Sequence, residues 1–530
     1  MRLYCRLAPE IATSSGQRAW RARQLAALQY ELHLTANPEA HLRFLASTVL
    51  TRQSLTILVH YAGCRATILL ASSLCTGSPS CQHGHPIDGR CTASRYTSSS
   101  MSRMTALASR PSLAIIGAGW GGFPLTQHID LTRFDVSVIS PIRTIQYTPL
   151  LASAACGLFD FRMAEEPVRR RHREGMKYYK ATAERIDLEK RIITCKPDVG
   201  HLTARENETF SVPYDVLVLA PGCSVQTFNT PGALEHALFL RTTNDARILQ
   251  QRILQMLDAA SLPGLTEQQQ RDILHIRIVG GGAIGIEATA EIYDLWSEAL
   301  RHVYSHLDGL VSITIHDVAS SVLSTFDENL SEYAMQSLME KKVEVKTSNH
   351  IEKVEQDAIY TKEDGRLPYG LLLWATGNSA NPLVERLDVK KTEKGVPRIL
   401  TDKHLRVLKS DGAGTHDNVF AIGDASDIES QSLPMLAEVA LQKGEYLNQR
   451  LNRYALDAEA PAFDYKQRAI LAYLGQRDGI VGGRNEWKGN SAWLAWRSGS
   501  LGWTRSWRRK VAILAQWGLI WWNGRDIARL

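Results

Sequence analysis

Residues 113–122, Leu-Ala-Ile-Ile-Gly-Ala-Gly-Trp-Gly-Gly, decide the fold class of this chain. A second stretch of the same kind, Ile-Arg-Ile-Val-Gly-Gly-Gly-Ala-Ile-Gly, occupies residues 276–285. In each, a short apolar strand leads into a glycine-rich turn, and the turn begins a helix whose first N–H groups can bind a pyrophosphate. One such turn is weak evidence, because glycines also serve ordinary strand-to-helix turns. Two in one chain predict two dinucleotides, most simply a flavin and a nicotinamide, and therefore an oxidoreductase.

Further apolar runs complete two copies of this pattern. The first copy continues at 136–139 and 216–222, the second at 311–315 and 371–377, and a last strand precedes Gly423 and Asp424. This order predicts an α/β protein with two Rossmann-like, doubly wound domains and a C-terminal helical membrane-anchoring region. The predicted segments are a targeting or disordered leader at 1–110, an FAD-binding domain at 111–275 and 399–465, an NADH-binding domain inserted at 276–398, and a C-terminal membrane-surface region at 466–530.

The leader has the composition of a mitochondrial transit peptide. Residues 1–110 contain twelve Arg, no Lys and four acidic residues, together with many Ser, Thr and Ala. An Arg-rich, Ser-rich and acid-poor start is typical of import into mitochondria; the alternative is a true start at Met101 or Met104. We predict no metal site, because the leader's Cys and His residues match no familiar zinc spacing. These residues are Cys75, Cys81, His83, His85 and Cys91.

The last 44 residues combine tryptophan with positive charge. They hold eight of the 12 tryptophans and eight basic residues against one acid, Asp526. The apolar run 511–522 is 12 residues long, whereas a spanning helix needs roughly 20. Indole rings and cations beside a short apolar helix suit the lipid headgroup boundary, and this composition favours lipid over nucleic acid. The alternative is a helix packed on its own protein or on a dimer partner.

The first unit supplies the predicted flavin site. We expect Gly117, Gly119 and Gly122 to hold the pyrophosphate. Ser140 stands at the end of the second strand, where an acidic residue usually binds the ribose. Asp424 is expected to hydrogen-bond the ribityl chain, and its alternative role is to cap the next helix. The strand that ends at Ala220 and Gly222 completes the predicted site.

The second unit supplies the predicted nicotinamide site, with its pyrophosphate on Gly280, Gly282 and Gly285. Asp317, two residues after the strand 311–315, can accept hydrogen bonds from the adenosine ribose. A carboxylate there repels a 2′-phosphate, so the sequence favours NADH over NADPH, although His316 beside it weakens that preference.

Glu287, just inside the second helix, is the predicted catalytic residue that orients the nicotinamide carboxamide. The alternative is that its charge only complements the helix dipole. Ala375 and Gly377 close the predicted nicotinamide site. Hydride transfer between the cofactors needs no protein acid or base, so no catalytic triad is expected.

Beyond residue 110 the chain resembles the type II (alternative, rotenone-insensitive) NADH:quinone oxidoreductases of fungal and plant mitochondria and of bacteria. The resemblance covers about residues 111–530. It depends on Ile-Gly-Ala-Gly-Trp-Gly-Gly-Phe at 116–123, Tyr-Thr-Pro-Leu-Leu at 147–151, Ile-Gly-Asp at 422–424, Trp496-Arg497, Ser-Trp-Arg at 506–508 and Gly-Arg-Asp-Ile at 524–527.

This resemblance implies a monotopic enzyme with one FAD that oxidises NADH and reduces ubiquinone without pumping protons. It implies a location at the surface of the mitochondrial inner membrane and a homodimer formed with the help of the C-terminal helices. It also places Thr148 and Pro149 at the flavin.

One departure from the family concerns the quinone. The family's quinone segment reads close to Thr-Ala-Gln-x-Ala, and here residues 436–442 read Leu-Ala-Glu-Val-Ala-Leu-Gln. Glu438 and Gln442 are therefore candidate catalytic residues. A buried Glu438 carboxylate would ionise reluctantly and exchange protons with the reduced quinone; alternatively it disfavours ubiquinone, or it is a plain surface residue.

Three functional hypotheses follow from these residues. The first is an NADH:ubiquinone oxidoreductase, and the second is a flavin reductase with another acceptor. The third is a non-catalytic relative that binds the cofactors. A sulfide-oxidising relative would need paired cysteines near the flavin, and Cys156, Cys195 and Cys223 are not spaced as such a pair.

Overall fold

A computed structural model provides the three-dimensional structure. It describes residues 57–62, 65–70, 110–169, 173–200, 208–324, 326–454, 456, 460–468, 470–483 and 486–525. The chain divides into one unit at Met1–Met104 and another at Thr105–Leu530. In the first unit the described residues form an antiparallel hairpin of the strands Ile57–Ala62 and Arg65–Leu70. The leader's candidate metal ligands, Cys75, Cys81, His83, His85 and Cys91, lie outside the described residues.

An eight-stranded sheet forms the larger half of the second unit. Five adjacent strands, from Thr415–Ala421 to the edge strand Met176–Tyr179, are parallel, and the strand of the first glycine-rich turn lies among them, where Ile115 pairs with both Val138 and Val218. The central residues are buried on both faces, as expected for a parallel sheet covered by helices. Across the sheet the strands run Ser426–Ile428, Ile399–Thr401, Arg406–Leu408, Thr415–Ala421, Val216–Leu219, Ser112–Ile116, Asp135–Ile139 and Met176–Tyr179.

A parallel four-stranded sheet is built from the residues between Val216–Leu219 and Ile399–Thr401. Its strands are Glu344–Lys346, Ser312–His316, His275–Val279 and Leu371–Trp374. The first sheet is therefore discontinuous in sequence, and the second interrupts it. Two glycine-turn sheets in one chain confirm the predicted α/β class with two doubly wound domains.

Smaller sheets extend these two. Antiparallel three-stranded sheets are Ala181–Asp187 with Ile192–Pro197 and Phe210–Pro213, and Ile351–Val354 with Ala358–Thr361 and Gly365–Pro368. Two-stranded ladders are Thr144–Gln146 with Glu165–Pro167, and Ser224–Val225 with Asn378–Ser379.

Helices cover the sheets. The helix after each glycine-rich turn packs on its own sheet, and Thr243–Ala260 begins with a capping box of Thr242 and Asp245. The α-helices of this part are Gly122–His128, Leu151–Ala155, Ala233–His236, Thr243–Ala260, Glu267–Ile273, Ala283–Leu295, Arg301–Val303, Glu328–Glu340, Pro382–Arg386 and Ala437–Arg453. A π-helical turn at Trp296–Leu300 joins Ala283–Leu295 to Arg301–Val303, and short 3-10 turns lie at Thr148–Leu150, Phe161–Ala164, Ser305–Leu307 and Gly423–Ala425.

The C-terminal region has three strands and two helices. The strands are Ile470–Gly475, Asp478–Gly482 and Trp487–Lys488, and the helices are Asn490–Trp503 and Trp507–Asn523. The last helix buries Ile513 and leaves most of its apolar side chains exposed. Among the described residues, no helix has both the length and the apolar character needed to cross a bilayer.

Candidate functional site

The two glycine-rich turns have the same backbone geometry. Gly117 has φ +90° and Gly280 has φ +107°, which L side chains rarely adopt. A Cβ at Gly117 would lie 2.0 Å from the carbonyl oxygen of Ala220, and a Cβ at Gly280 would lie 2.6 Å from that of Ala375. Each first glycine is therefore required where its turn passes the end of the neighbouring strand.

The middle glycine and the third glycine of each turn have different roles. A Cβ at Gly122 would lie 2.0 Å from the oxygen of Gly117, and one at Gly285 would lie 2.0 Å from the oxygen of Gly280. By contrast, a Cβ at Gly119 or Gly282 would meet nothing within 4 Å. The third glycines serve close packing, whereas the middle ones face open space where a pyrophosphate can approach the backbone. Both cradles therefore fit a dinucleotide.

Segments that follow the two strand ends bring the cradles together. After Gly222 and Gly377, the strands Ser224–Val225 and Asn378–Ser379 pair with one another. The N–H of Gln226 donates to the oxygen of Gly377 at 3.1 Å. The carboxyl edges of both sheets, where doubly wound folds bind ligands, are thus joined by backbone hydrogen bonds.

The ends of the second strands differ between the two domains. Ser140 is 4% exposed, and its hydroxyl donates to the oxygen of Ile142 at 3.1 Å. That hydroxyl is engaged in a local turn, which is consistent with weak ribose binding at this position. Asp317 instead lies beside the second glycine-rich turn, where its carboxylate accepts the N–H of Gly281 and, at 2.8 Å, that of Ala319.

His316 does not face the cradle. It is 1% exposed, and its Nδ1 lies 2.8 Å from Oδ1 of Asn349. Burial lowers the pKa of His316 to about 4, so the ring is neutral at pH 7 and offers no charge to a 2′-phosphate. The ambiguity that the sequence left at this position is thereby removed.

Asp424 lies on the short turn Gly423–Ala425 at the carboxyl end of Thr415–Ala421. The next α-helix begins after Leu436 and has no side-chain cap, so Asp424 does not cap it. The Cys223 thiol lies 3.4 Å from Oδ2 of Asp424, a neighbour that the sequence analysis did not identify. Burial, followed by the Asp424 carboxylate, raises the pKa of this thiol to about 11.

The cysteines of the described second unit carry no redox pair. Cys156, Cys195 and Cys223 are all free, and the first two are buried. Burial raises the pKa of each thiol, so none is an activated thiolate at pH 7. The structure thus offers no support for the sulfide-oxidising alternative in the part of the chain that it describes.

Two further segments close around the first glycine-rich turn. The indole N–H of Trp120 donates to the exposed hydroxyl of Thr148 at 3.2 Å, with Pro149 next to it. Helix Ala437–Arg453 lies over the turn so closely that a Cβ at Gly444 would be 2.2 Å from the oxygen of Gly121. The segment with Glu438 therefore lies next to the predicted flavin cradle.

Glu438 is buried and paired with an arginine. It is 9% exposed, and its Oε1 lies 3.2 Å from Nη1 of Arg468 and 2.6 Å from the donating Nε2 of Gln442. The alternative of a plain surface residue is therefore wrong, and the arginine supplies a counter-ion to the buried side chain. The side-chain amide of Gln442 also donates to the backbone oxygen of Lys466 at 3.0 Å and accepts the N–H of Lys466 at 3.1 Å. It therefore anchors the following segment to the helix.

A buried lysine lies on the same helix. Lys443 is 0% exposed, and its Nζ donates to the oxygen of Ser426 at 3.2 Å. Burial and the nearby Arg398 lower the pKa of Lys443 to about 8. Sequence analysis missed this residue, although a lysine on the apolar face of an amphipathic helix is a detectable signal.

Glu287 begins an acidic face along helix Ala283–Leu295. The indole N–H of Trp496 donates to its Oε1 at 2.9 Å. Burial raises the pKa of Glu287 to about 8 and that of Glu291, one turn later, to about 7. Glu291 is 0% exposed and accepts the hydroxyl of Ser153 at 2.6 Å. A complement to the helix dipole alone does not account for this buried, hydrogen-bonded face.

A cavity of about 550 Å³ opens between the first domain and the C-terminal helices. Leu441 and Glu445 line it one and two turns after Glu438, and Arg505 lines it from the link between the two C-terminal helices. Its other lining residues are Phe123, Pro124, Gln127, His128, Ile145, Val168 and Arg173. The cavity thus leads from the tail of the chain toward the helix of Glu438, with both apolar and polar side chains in its walls.

Comparison with known proteins gives a consistent result. Residues 111–444 match the family described as pyridine nucleotide-disulphide oxidoreductase. A probable NADH dehydrogenase of Dictyostelium discoideum is 33% identical over 423 residues, which are 78% of this chain and 90% of the relative. The mitochondrial internal alternative NAD(P)H-ubiquinone oxidoreductase A1 of Solanum tuberosum is 33% identical over 448 residues, which are 79% of this chain and 88% of the relative.

Solved structures support the same fold. NDH2 of Plasmodium falciparum in complex with NADH has a TM-score of 0.72 at 22% identity and covers 79% of this chain and 100% of its own. The sulfide:quinone oxidoreductase of Aquifex aeolicus has a TM-score of 0.57 at 16% identity and covers 78% of this chain and 96% of its own. At these identities, the two structures support the fold alone.

Proposed function

Since the chain belongs to the pyridine nucleotide-disulphide oxidoreductase family and, within it, to the type II (alternative) NAD(P)H dehydrogenases, we propose that it oxidises NADH and reduces ubiquinone at a membrane surface with one FAD. The overall reaction converts NADH, one proton and the quinone to NAD⁺ and the quinol. The observation that carries this proposal is the pairing of Ser224–Val225 with Asn378–Ser379, which joins two dinucleotide cradles edge to edge.

FAD fits the first cradle. When bound, the flavin accepts a hydride from the nicotinamide and passes two electrons to the quinone. Backbone N–H groups at Gly117, Gly119 and Gly122 would bind its pyrophosphate. The predicted contacts from the remaining strand ends and loops are Ser140, Thr148, Pro149, Ala220, Gly222, Gly423 and Asp424.

NADH fits the second cradle. Gly280, Gly282 and Gly285 would bind its pyrophosphate, and Asp317 would accept hydrogen bonds from the adenosine ribose. Neutral, buried His316 leaves Asp317 as the charge that decides against a 2′-phosphate. Glu287 would orient the nicotinamide carboxamide, with Ala375 and Gly377 at the strand end beside it. We retain 276–398 as the boundaries proposed for this domain and 111–275 with 399–465 for the flavin domain.

The quinone is proposed to reach the flavin along helix Ala437–Arg453. Glu438 lies at the start of this helix, and the cavity lined by Leu441 and Glu445 continues along it toward Arg505. The apolar part of its mixed lining, which is Phe123, Pro124, Ile145, Val168 and Leu441, would contact the hydrocarbon tail of a quinone. Gln442, which holds Glu438 and Lys466 together, would keep this entrance in shape.

Lipid is the proposed partner of the C-terminal helices. Helix Trp507–Asn523 buries Ile513 yet exposes a set of large apolar side chains beside the cations Arg508 and Lys510. Exposed apolar area of this kind marks an interaction surface, and indole with cations suits the headgroup region. The exposed residues are Trp507, Val511, Leu514, Leu519, Trp521 and Trp522. The mitochondrial relatives support a mitochondrial location, and the inner-membrane surface and a homodimer are proposed with it.

Stopped-flow absorbance of the detergent-purified full chain tests the proposal. NADH is expected to bleach the flavin absorbance, and a short-chain ubiquinone analogue is expected to restore it within the turnover time. Bleaching without restoration by quinone would contradict ubiquinone reduction and favour another acceptor, whereas no bleaching would favour the non-catalytic hypothesis. The flavin released by heat identifies FAD by chromatography.

One observation favours a second candidate function, a flavin reductase with another acceptor. The Glu438–Arg468 pair occupies a segment where the resembling family has a neutral amide, and a charged pair suits a fully polar acceptor better than a quinone with an apolar tail. A panel of quinones and soluble acceptors, each assayed under NADH saturation, separates the two functions. The greatest kcat/KM for a soluble acceptor would support the second.

A further inference from the structure

A buried side chain of the C-terminal region contacts a residue of the proposed nicotinamide site. Helix Asn490–Trp503 packs on strand Ile470–Gly475, which in turn packs on helix Ala283–Leu295. Trp496, which is 6% exposed, donates its indole N–H to Oε1 of Glu287 at 2.9 Å. Glu287 follows the third glycine of the second turn by two residues. A side chain 209 positions away thus fixes a carboxyl group at the entrance of the cradle.

The indole ring is itself held in place. It stacks on Tyr473, with ring centroids 4.7 Å apart and planes 17° apart. The Tyr473 hydroxyl donates to Asp294, which lies on the same helix as Glu287. Trp496 is therefore linked to helix Ala283–Leu295 at two points, directly at Glu287 and, through Tyr473, at Asp294. An indole with a buried, hydrogen-bonded N–H is expected to keep one orientation.

We propose that Trp496 is a positioning residue for NADH binding, whose indole N–H holds the Glu287 carboxyl group in the orientation that binds the nicotinamide carboxamide. This inference rests on the proposed function and assigns the C-terminal region a part in substrate binding beside its part at the membrane. A group held within a few tenths of an ångström by a neighbouring hydrogen bond binds its ligand at lower entropic cost than a freely rotating one.

Substitution of Trp496 by Phe tests the proposal, because Phe keeps an aromatic ring on Tyr473 and removes the N–H together with the rest of the pyrrole ring. The KM for NADH is expected to rise about five-fold, the effect of one lost hydrogen bond, while kcat with saturating short-chain quinone stays within about two-fold. Trp493 lies one turn earlier on the same helix and is partly buried. W493F is the matched control and is expected to leave the KM unchanged.

A double-mutant cycle separates positioning from general damage. In the E287Q background, W496F is expected to add nothing to the KM, because the group that it positions has been altered. An equal effect of W496F in both backgrounds would overturn the inference. Should W496F fail to fold, Y473F, which loosens the platform of the indole, takes its place in the cycle with the same expectations.

The pH profile gives a readout that structural damage would not move. Glu287 faces Glu291 on its own helix and Tyr473 on the adjacent strand, whereas Arg497 and Arg525 from the C-terminal region face Glu291. The Trp496 hydrogen bond favours the charged form of Glu287, so W496F is expected to move the inflection of the NADH KM to higher pH. An unmoved inflection would contradict the proposal. Bleaching of the flavin by NADH, which all variants should retain, reports separately whether the proposed function itself holds.

Discussion

Nη1 of Arg468 lies 3.2 Å from Oε1 of Glu438, and the arginine is largely exposed while the glutamate is buried. This relationship changes the expected chemistry at the proposed quinone end. A guanidinium at this distance interacts favourably with a carboxylate. The proposed quinone end therefore carries an ion pair and not a lone acidic group.

Breaking this pair from one side is expected to harm quinone reduction more than removing it altogether. R468Q leaves Glu438 buried without its counter-ion and should lower kcat/KM for a ubiquinone analogue about five-fold, by the roughly 1 kcal/mol of a partly exposed ion pair. E438Q/R468Q should recover most of that loss. The flavin bleaching rate with NADH should not change in either variant. K390Q, which breaks the exposed pair of Lys390 with Glu429, is the control, and a double variant worse than R468Q would contradict the prediction.

Alanine substitutions at two glycines of the first turn should affect two different properties, stability in one case and flavin binding in the other. G122A forces a Cβ to 2.0 Å from the oxygen of Gly117 and should lower the free energy of unfolding by about 1–3 kcal/mol or more. G119A meets nothing within 4 Å, so the protein should fold normally but retain less flavin. Thermal unfolding and the ratio of flavin to protein absorbance measure the two effects. Full flavin retention in G119A would argue against a pyrophosphate at that turn.

Substitution of Asp317 by Asn is expected to relax the preference for NADH. Asn removes the charge that repels a 2′-phosphate, and its single side-chain oxygen keeps an acceptor for one of the backbone N–H groups of Gly281 and Ala319, which bind separate oxygens of Asp317. The ratio of kcat/KM for NADH to that for NADPH should fall about ten-fold, equivalent to roughly 1.4 kcal/mol. D308N, on an exposed surface position, should leave the ratio unchanged. If D317N leaves this ratio unchanged, the adenosine ribose does not bind at Asp317.

Buried Glu291 makes stability depend on pH. Burial raises its folded-state pKa to about 7 from a reference value of 4.5, so between these values the folded protein binds a proton that the unfolded chain has released. Stability therefore falls as pH rises through this window and levels off above about pH 7. Melting temperatures at pH 5 to 8 should decrease for the native chain and decrease less for E291Q. The exposed E328Q should follow the native curve, and parallel curves for E291Q and the native chain would refute this assignment.

Removal of the two most exposed tryptophans should release the protein from lipid. Trp521 is 82% exposed and Trp522 77%, so W521S/W522S removes apolar area that only a lipid or protein partner would cover. Co-sedimentation with vesicles of mixed neutral and anionic phospholipid should fall at least ten-fold. NADH oxidation with a short-chain quinone in detergent should persist. Unchanged vesicle binding accompanied by loss of a dimer in light scattering would identify a second copy as the partner.

Much of the fold was predictable from the sequence because its determinants are local. A glycine that must adopt positive φ, such as Gly117 or Gly280, leaves a mark at a fixed place between an apolar strand and a helix. Strand positions followed from short apolar runs, and the insertion of one domain into the other followed from their order. The neutral state of His316 was not predictable, because it depends on burial beside Asn349.

The sequence by itself determined that this chain has two dinucleotide cradles, in which order they occur, and which residue stands at each ribose position. Only the tertiary structure decided which residues meet across long separations: Arg468 with Glu438, Trp496 with Glu287, and Ser153 with Glu291. The physical reason is the distance along the chain over which each kind of interaction acts. Backbone turns constrain neighbouring residues, whereas the partner of a buried charge is chosen by packing, which brings together groups that no sequence spacing connects.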